Sequence, residues 1–520
     1  MLFPSPVFLF GFLPVVLAGF LFLRRFAPER AGRAFLVLAS LVFYGWASPP
    51  HLLILVASIL INYAIGHRLL SMDRARRRGR AGLLTLGVTL NLAALVYFKY
   101  VNFFVGEISS AFGLDIHLAQ IVLPIGISFY TFQQIAFLAD AWKHDARAPS
   151  LLDHALFISF FPQLIAGPIV HHKEMMPQFR DPPDRDARRA MAATGVVYFT
   201  AGLFKKIALA DAMAAFAGPV FDAAEKAVPL TPLEGWIGAL SYTLQIYFDF
   251  SAYSDMALGL GLFFGILLPI NFNSPYKAAS IIEFWQRWHI TLSRFLRDYL
   301  YIPLGGNRRG IAIRYRNIFL VMLVGGIWHG AGWTFVIWGL AHAGFIIVNH
   351  AWRDLGKAGL ITRDPFAHPA LAHILTLLAV VSAWVFFRAK TVGGALHVLS
   401  AMFGVNGVSL PAAWLGDGTV ANAFAAIGVS AVDGEVLRAS RIHQPLILIV
   451  LLFSLCFLAP NTHMLARFGP VRLPAFGPLA RFAGTNLVAP TTAFAVVLAL
   501  AAWFTISLLA RPSPFIYFQF

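Results

Sequence analysis

The chain has 520 residues, of which 59% are hydrophobic and only 12% charged. A water-soluble protein of that length cannot cover so much apolar surface with so few charges, so the composition excludes a soluble globular enzyme and implies burial in a bilayer. The formal net charge of +16 would suggest nucleic acid in a soluble protein, but here the basic residues fall in short runs between apolar stretches. That is the pattern of cytoplasmic topology signals, and it argues against a nucleic-acid partner.

The first apolar run carries no charge up to Leu23, and Arg24 and Arg25 follow it. This reverses the charge order of a secretory signal, so the run reads as a span with Met1 outside and Arg24 inside. Further apolar segments lie near 34–48, 51–67, 82–100, 119–140, 191–215, 234–268, 317–337, 335–351, 370–387, 443–459 and 491–510. A crossing helix needs about 20 apolar residues, so the pattern predicts an all-α polytopic membrane protein with about eleven transmembrane helices. The segments between 317 and 351 read as a single broken unit. The basic stretches 68–80, 180–189 and 308–316 mark the cytoplasmic side. Residues 151–170, interrupted by Pro162, Gly167 and Pro168, and the aromatic, charged stretch 281–303 suggest re-entrant or interfacial helices. Residues 404–442 form a less apolar loop, expected on the outer face. No internal repeat is visible, so 1–520 reads as one domain. The single cysteine, Cys456, lies in an apolar run and permits neither an internal disulfide nor a CxxC metal site.

Three histidines stand out. In Glu283-Phe-Trp-Gln-Arg-Trp-His289-Ile-Thr-Leu-Ser-Arg294, helical spacing gathers Glu283, Arg287, Arg294 and Asp298 into a stripe with Arg297 beside it. His289 falls off that stripe beside Trp285, Ser293 and Leu296. An interfacial helix with paired charges fits the same residues. His329 lies mid-span in Gly325-Gly-Ile-Trp328-His329-Gly330, where small neighbours permit close approach of substrate or backbone. An ionisable group at membrane depth is a functional candidate, and an imidazole suits proton abstraction near neutrality; a structural interhelical hydrogen bond is the alternative. His342 follows in Trp338-Gly-Leu-Ala-His342. No acidic or cysteine ligand accompanies these histidines at a recognisable spacing, so no metal site is expected. His171 and His172, being adjacent, are expected at an interface rather than on one metal. Asp249 and Asp255, in Tyr247-Phe-Asp249-Phe-Ser-Ala-Tyr-Ser-Asp255, must find partners inside an apolar span. They either line a cavity or form a structural network.

The stretches 160–179, 247–256, 283–293 and 326–331, with the run Arg297-Asp-Tyr-Leu-Tyr-Ile-Pro-Leu-Gly-Gly-Asn307-Arg-Arg309 and the closing Pro514-Phe-Ile-Tyr-Phe-Gln-Phe520, resemble the membrane-bound O-acyltransferase family. Five motifs occur in the family's order, most strongly over 120–345. They are similar to the bacterial branch typified by the alginate O-acetylation protein AlgI. The resemblance implies helices around a central tunnel in the cell inner membrane. It implies His329 as the catalytic histidine and His289 as a second active-site histidine. Trp328, Trp285, Asp249, Asp255, Arg287, Arg294, Arg297 and Asn307 are weaker candidates for the tunnel or for substrate binding. It implies no permanently bound cofactor. Acetyl-CoA or another acyl thioester would be the donor, an exported polysaccharide the acceptor, and an outer-face acetyltransferase the partner. Acylation of peptidoglycan, D-alanyl transfer to teichoic acid and proton-coupled glycan transport are the other readings.

Overall fold

The computed structural model describes residues 1–115, 119–144, 148–360, 368–415, 418–432, 436–437, 442–466, 491–509 and 515–516. Helix dominates them; the strands Val408–Leu410 and Val429–Ala431 pair in parallel as a two-stranded sheet. Among the described residues, seven helices are long and apolar enough to cross a bilayer: Val7–Phe26, Pro49–Ser71, Arg77–Phe112, Arg185–Glu225, Ile311–His329, Trp333–Lys357 and Pro369–Arg388. Val392–Met402, His443–Leu458 and Thr492–Ser507 are shorter apolar helices. The protein is thus polytopic and helical, as composition requires. Large apolar side chains such as Phe22, Leu53, Val450 and Trp503 face outward, which in a bilayer is the solvated state.

The chain forms two compact units. The first comprises residues 1–204, 252–271 and 462–519. Within it, helices Pro49–Ser71 and Arg77–Phe112 are joined by reciprocal amide bonds: Asn62 Nδ2 donates to Asn91 Oδ1 at 3.2 Å, and Asn91 Nδ2 donates to Asn62 Oδ1 at 2.7 Å. Buried amides that satisfy each other fix the register of two helices where apolar contact alone would not. The helix Ile127–Lys143 packs on both.

The second unit comprises 205–251 and 272–461. Its centre is the pair Ile311–His329 and Trp333–Lys357, antiparallel neighbours joined through Gly330–Gly332. A Cβ on Gly326 would lie 2.5 Å from the Phe335 carbonyl oxygen and 3.0 Å from Gly339 Cα, so glycine at both positions lets the backbones touch.

Several sequence expectations are corrected. The segments 317–337 and 335–351 are not one broken unit, because the glycine link is extended backbone and ends one helix before the next begins. The 281–303 stretch is not a continuous helix: it divides into Ile281–Arg287, Ile290–Leu296 and a π-helical turn Arg297–Tyr301. The 119–140 segment is not helical until Ile127, after a turn in which Gly126 adopts φ 78°. Val392–Met402 was not anticipated. The 404–442 loop carries the two strands and the helix Thr419–Ala426. Of the closing Pro514–Phe520 motif only Phe515 and Ile516 are described; the rest lies outside the described residues.

Candidate active site

His289 sits where the helix breaks. Its backbone is left-handed, φ 43° and ψ 53°. Trp288 N closes the preceding helix on the Phe284 carbonyl at 2.8 Å, and the His289 carbonyl accepts from Ser293 N at 3.0 Å to open the next. The kink turns the imidazole fully inward, against the edge of Phe250 at 4.7 Å between ring centroids. Arg287 braces the corner. Its guanidinium pairs with Glu283 at 2.8 Å and donates to the Asn273 carbonyl at 3.2 Å, while Asn273 N donates to the Arg287 carbonyl at 2.9 Å.

His329 is the last residue of its helix and is buried. Aromatic rings enclose it, among them Trp328 at 4.9 Å, Trp338 at 5.0 Å and Phe387 at 5.1 Å. The His289 ring lies 6.3 Å away, and Trp328 lies 6.1 Å from His289. The two imidazoles therefore share one aromatic chamber with Trp328 between its walls. An imidazole so enclosed has little water competing for its nitrogens, so a hydroxyl delivered to it meets a proton acceptor in a low-dielectric setting.

His342 is a wall rather than a partner. It accepts a hydrogen bond at Nδ1 from Trp285 Nε1 at 3.3 Å and stacks on Phe284 with rings 8° from parallel. Trp338 touches both His329 and His342, the latter at 4.8 Å, and Trp384 stacks on Trp338 at 5.8 Å.

The structure thus brings together His289, His329, Trp328 and, through His342, Trp285. The remaining candidates have these surroundings. Arg297 is exposed and paired with its neighbour Asp298 at 2.7 Å. Asn307 is exposed in the turn before Ile311. Arg294 is half-buried on Ile290–Leu296. Asp249 belongs to a buried network in which Lys206 Nζ bonds Asp249 Oδ1 at 2.7 Å and Asp211 Oδ1 at 2.9 Å. Asp255 belongs to the first unit, where it accepts from Thr462 Oγ1 at 2.6 Å.

Sequence reasoning missed Lys206, Phe387 and Trp384. A lysine inside an apolar span was itself a signal; the two aromatics carried none. Replacing Lys206 by methionine leaves two carboxylates facing each other, and breaking a buried pair costs about 3–5 kcal/mol. The expected outcome is loss of folded protein by detergent size-exclusion, restored in part by adding Asp249→Asn.

The expectation for His171 and His172 is also corrected. His171 is extended while His172 begins the helix His172–Arg180, which swings both rings to one side. His171 Nε2 lies 3.1 Å and His172 Nδ1 3.8 Å from Asp140 Oδ2, so the adjacent rings do converge on one carboxylate, and His172 is buried. Lys173 Nζ lies 3.7 Å from the same oxygen, so a cation already serves that carboxylate.

The chain is a polytopic helical membrane protein in which two imidazoles share an aromatic chamber. The model for the membrane-bound O-acyltransferase family matches residues 81–389. The chain is 46% identical over 437 residues to a peptidoglycan O-acetyltransferase of Helicobacter pylori, covering 79% of this chain and 81% of that one. It is 44% identical over 408 residues to a Pseudomonas aeruginosa protein described as "Probable alginate O-acetylase AlgI", covering 78% and 75%. A teichoic acid D-alanyltransferase of Streptococcus thermophilus is 29% identical over 254 residues, 45% of this chain and 61% of its own. The chain belongs to the membrane-bound O-acyltransferase family and is an O-acyltransferase.

Proposed function

We propose that the protein moves an acetyl group from a cytoplasmic thioester, acetyl-CoA, toward hydroxyls of a glycan outside the cytoplasm, with His329 as general base. The observation that carries this reading is the His329 ring, enclosed by Trp328, Trp338 and Phe387 and facing His289 across 6.3 Å. In the proposed step a His329 nitrogen takes the proton of the acceptor hydroxyl. The oxygen attacks the thioester carbonyl, the carbon–sulfur bond breaks, and the imidazolium returns the proton to the leaving thiolate. The products are an ester and a free thiol. His289 positions the acceptor or donor. The inner membrane is the expected location, and an outer-face acetyltransferase is the expected partner for passing the acetyl group onward.

Two acceptors are supported by relatives: an exported polysaccharide of the alginate type and peptidoglycan, the latter by the Helicobacter pylori protein. Acetate released by mild base from extracellular polysaccharide and from purified sacculi, in cells with and without the gene, separates them. Loss in one fraction names the acceptor; unchanged acetate in both removes this reading. The thioester donor is tested with purified protein and radiolabelled acetyl-CoA in detergent, where transfer needs no membrane gradient.

A further inference from the structure

The first unit contains a cavity of about 290 Å³ that the acyl-transfer reading does not use. Its floor is apolar, built from Phe20, Leu36, Phe179 and Phe264, with the Phe20 and Phe264 rings edge to face at 5.3 Å. Its rim carries Arg24, Arg33, Arg188 and the carboxylate of Glu29. Arg33 is neutralised by Asp153, 2.6 Å away. Arg24 donates only to the Pro183 carbonyl, at 3.3 Å, and among the described residues neither Arg24 nor Arg188 has an ion-pair partner. Two half-buried guanidiniums on one apolar-floored cavity repel each other and are poorly hydrated, so an anion between them would relieve both. Small-molecule sites run from about 300 to 1,000 Å³, so this one suits a single phosphate group with a short apolar stem, not a whole nucleotide. Leu21, Phe22 and Phe26, beside Arg24 on the same helix, face outward as lipid-exposed residues do.

We infer that this cavity binds the phosphate of an amphiphilic phosphate ester, with Arg24 and Arg188 as its forked donors and the phenylalanine floor under the apolar stem. An anionic phospholipid headgroup supplies that chemistry; the phosphate end of the thioester donor is the other source. The site stands without the assignment of His329.

The test uses the full chain purified in a neutral detergent. Phosphatidylglycerol binding is followed by native mass spectrometry, with coenzyme A and inorganic phosphate as competitors. Wild type should bind saturably, and Arg24→Gln/Arg188→Gln should weaken binding at least tenfold. Glu29→Gln removes the opposing carboxylate and should tighten binding severalfold, an effect that mere misfolding cannot produce. Arg25, exposed on the same helix and absent from the cavity wall, is the control for bulk charge: Arg25→Gln should stay within twofold. Competition by coenzyme A assigns the phosphate to the donor, and its absence assigns it to lipid. No saturable binding, or an Arg25→Gln loss equal to that of the double variant, overturns the site. His329→Ala should keep phosphatidylglycerol binding, so a failure of the transfer mechanism and a failure of this site read differently.

Discussion

His329→Ala should reduce acetyl transfer by about 10²- to 10⁴-fold, the range general-base groups contribute, while the protein still elutes as a folded species. The magnitude rests on place. The ring ends its helix among Trp328, Trp338 and Phe387, where no bulk water stands ready to take the proton instead. His329→Gln is the informative companion, since it keeps most of the volume and loses the base. If both variants lose transfer from acetyl-CoA and both run as wild type on size-exclusion, proton abstraction is the lost function. If His329→Gln keeps wild-type turnover, His329 is a packing residue and the mechanism falls. His289→Gln should cost less, because its ring faces Phe250 on one side and reaches His329 only across 6.3 Å. A shift in the pH–rate profile of that variant would separate a positioning role from simple structural damage.

Gly326→Val should all but eliminate folded protein, with Gly325→Ala close to neutral. The two glycines are adjacent in sequence and opposite in consequence. A Cβ at 326 collides at 2.5 Å with a carbonyl oxygen of the facing helix, whereas a Cβ at 325 meets only Leu296 Cδ1 at an ordinary 3.5 Å. Backbone cannot swing aside as a side chain can, so the helices must separate, and the chamber around His329 opens with them. Overpacking in a well-filled interior costs about 1–3 kcal/mol, and a backbone collision stands at or above the top of that range. Thermal melting followed by fluorescence-detected size-exclusion checks the pair. Equal melting of the two variants would mean that the helices do not depend on this contact.

The helical membrane class was legible from composition, because apolar content and scarce charge leave only the bilayer as solvent. His329 was legible because glycine surrounds it at a spacing that invites close approach. The break at His289 was not. The charged residues from Glu283 to Asp298 keep helical period straight through it, so periodicity carries no sign of a residue that leaves the helix. Phe387 and Trp384 were invisible for another reason: they come from Pro369–Arg388, a helix whose apolar sequence looks the same on its lipid face and its chamber face. Only tertiary packing distinguishes the two. Arg287 is legible only in part. Sequence supplied its pairing with Glu283 but not the Asn273 carbonyl that occupies it further.

The left-handed backbone at His289 sets a conflict between durability and work. A non-glycine residue held there costs of order 1–3 kcal/mol, which His289→Gly would release, minus what the buried ring contributes by packing on Phe250. Selection of this protein for heat resistance alone would therefore drift toward glycine or asparagine at 289, and whatever the imidazole contributes beside His329 would be given up for stability.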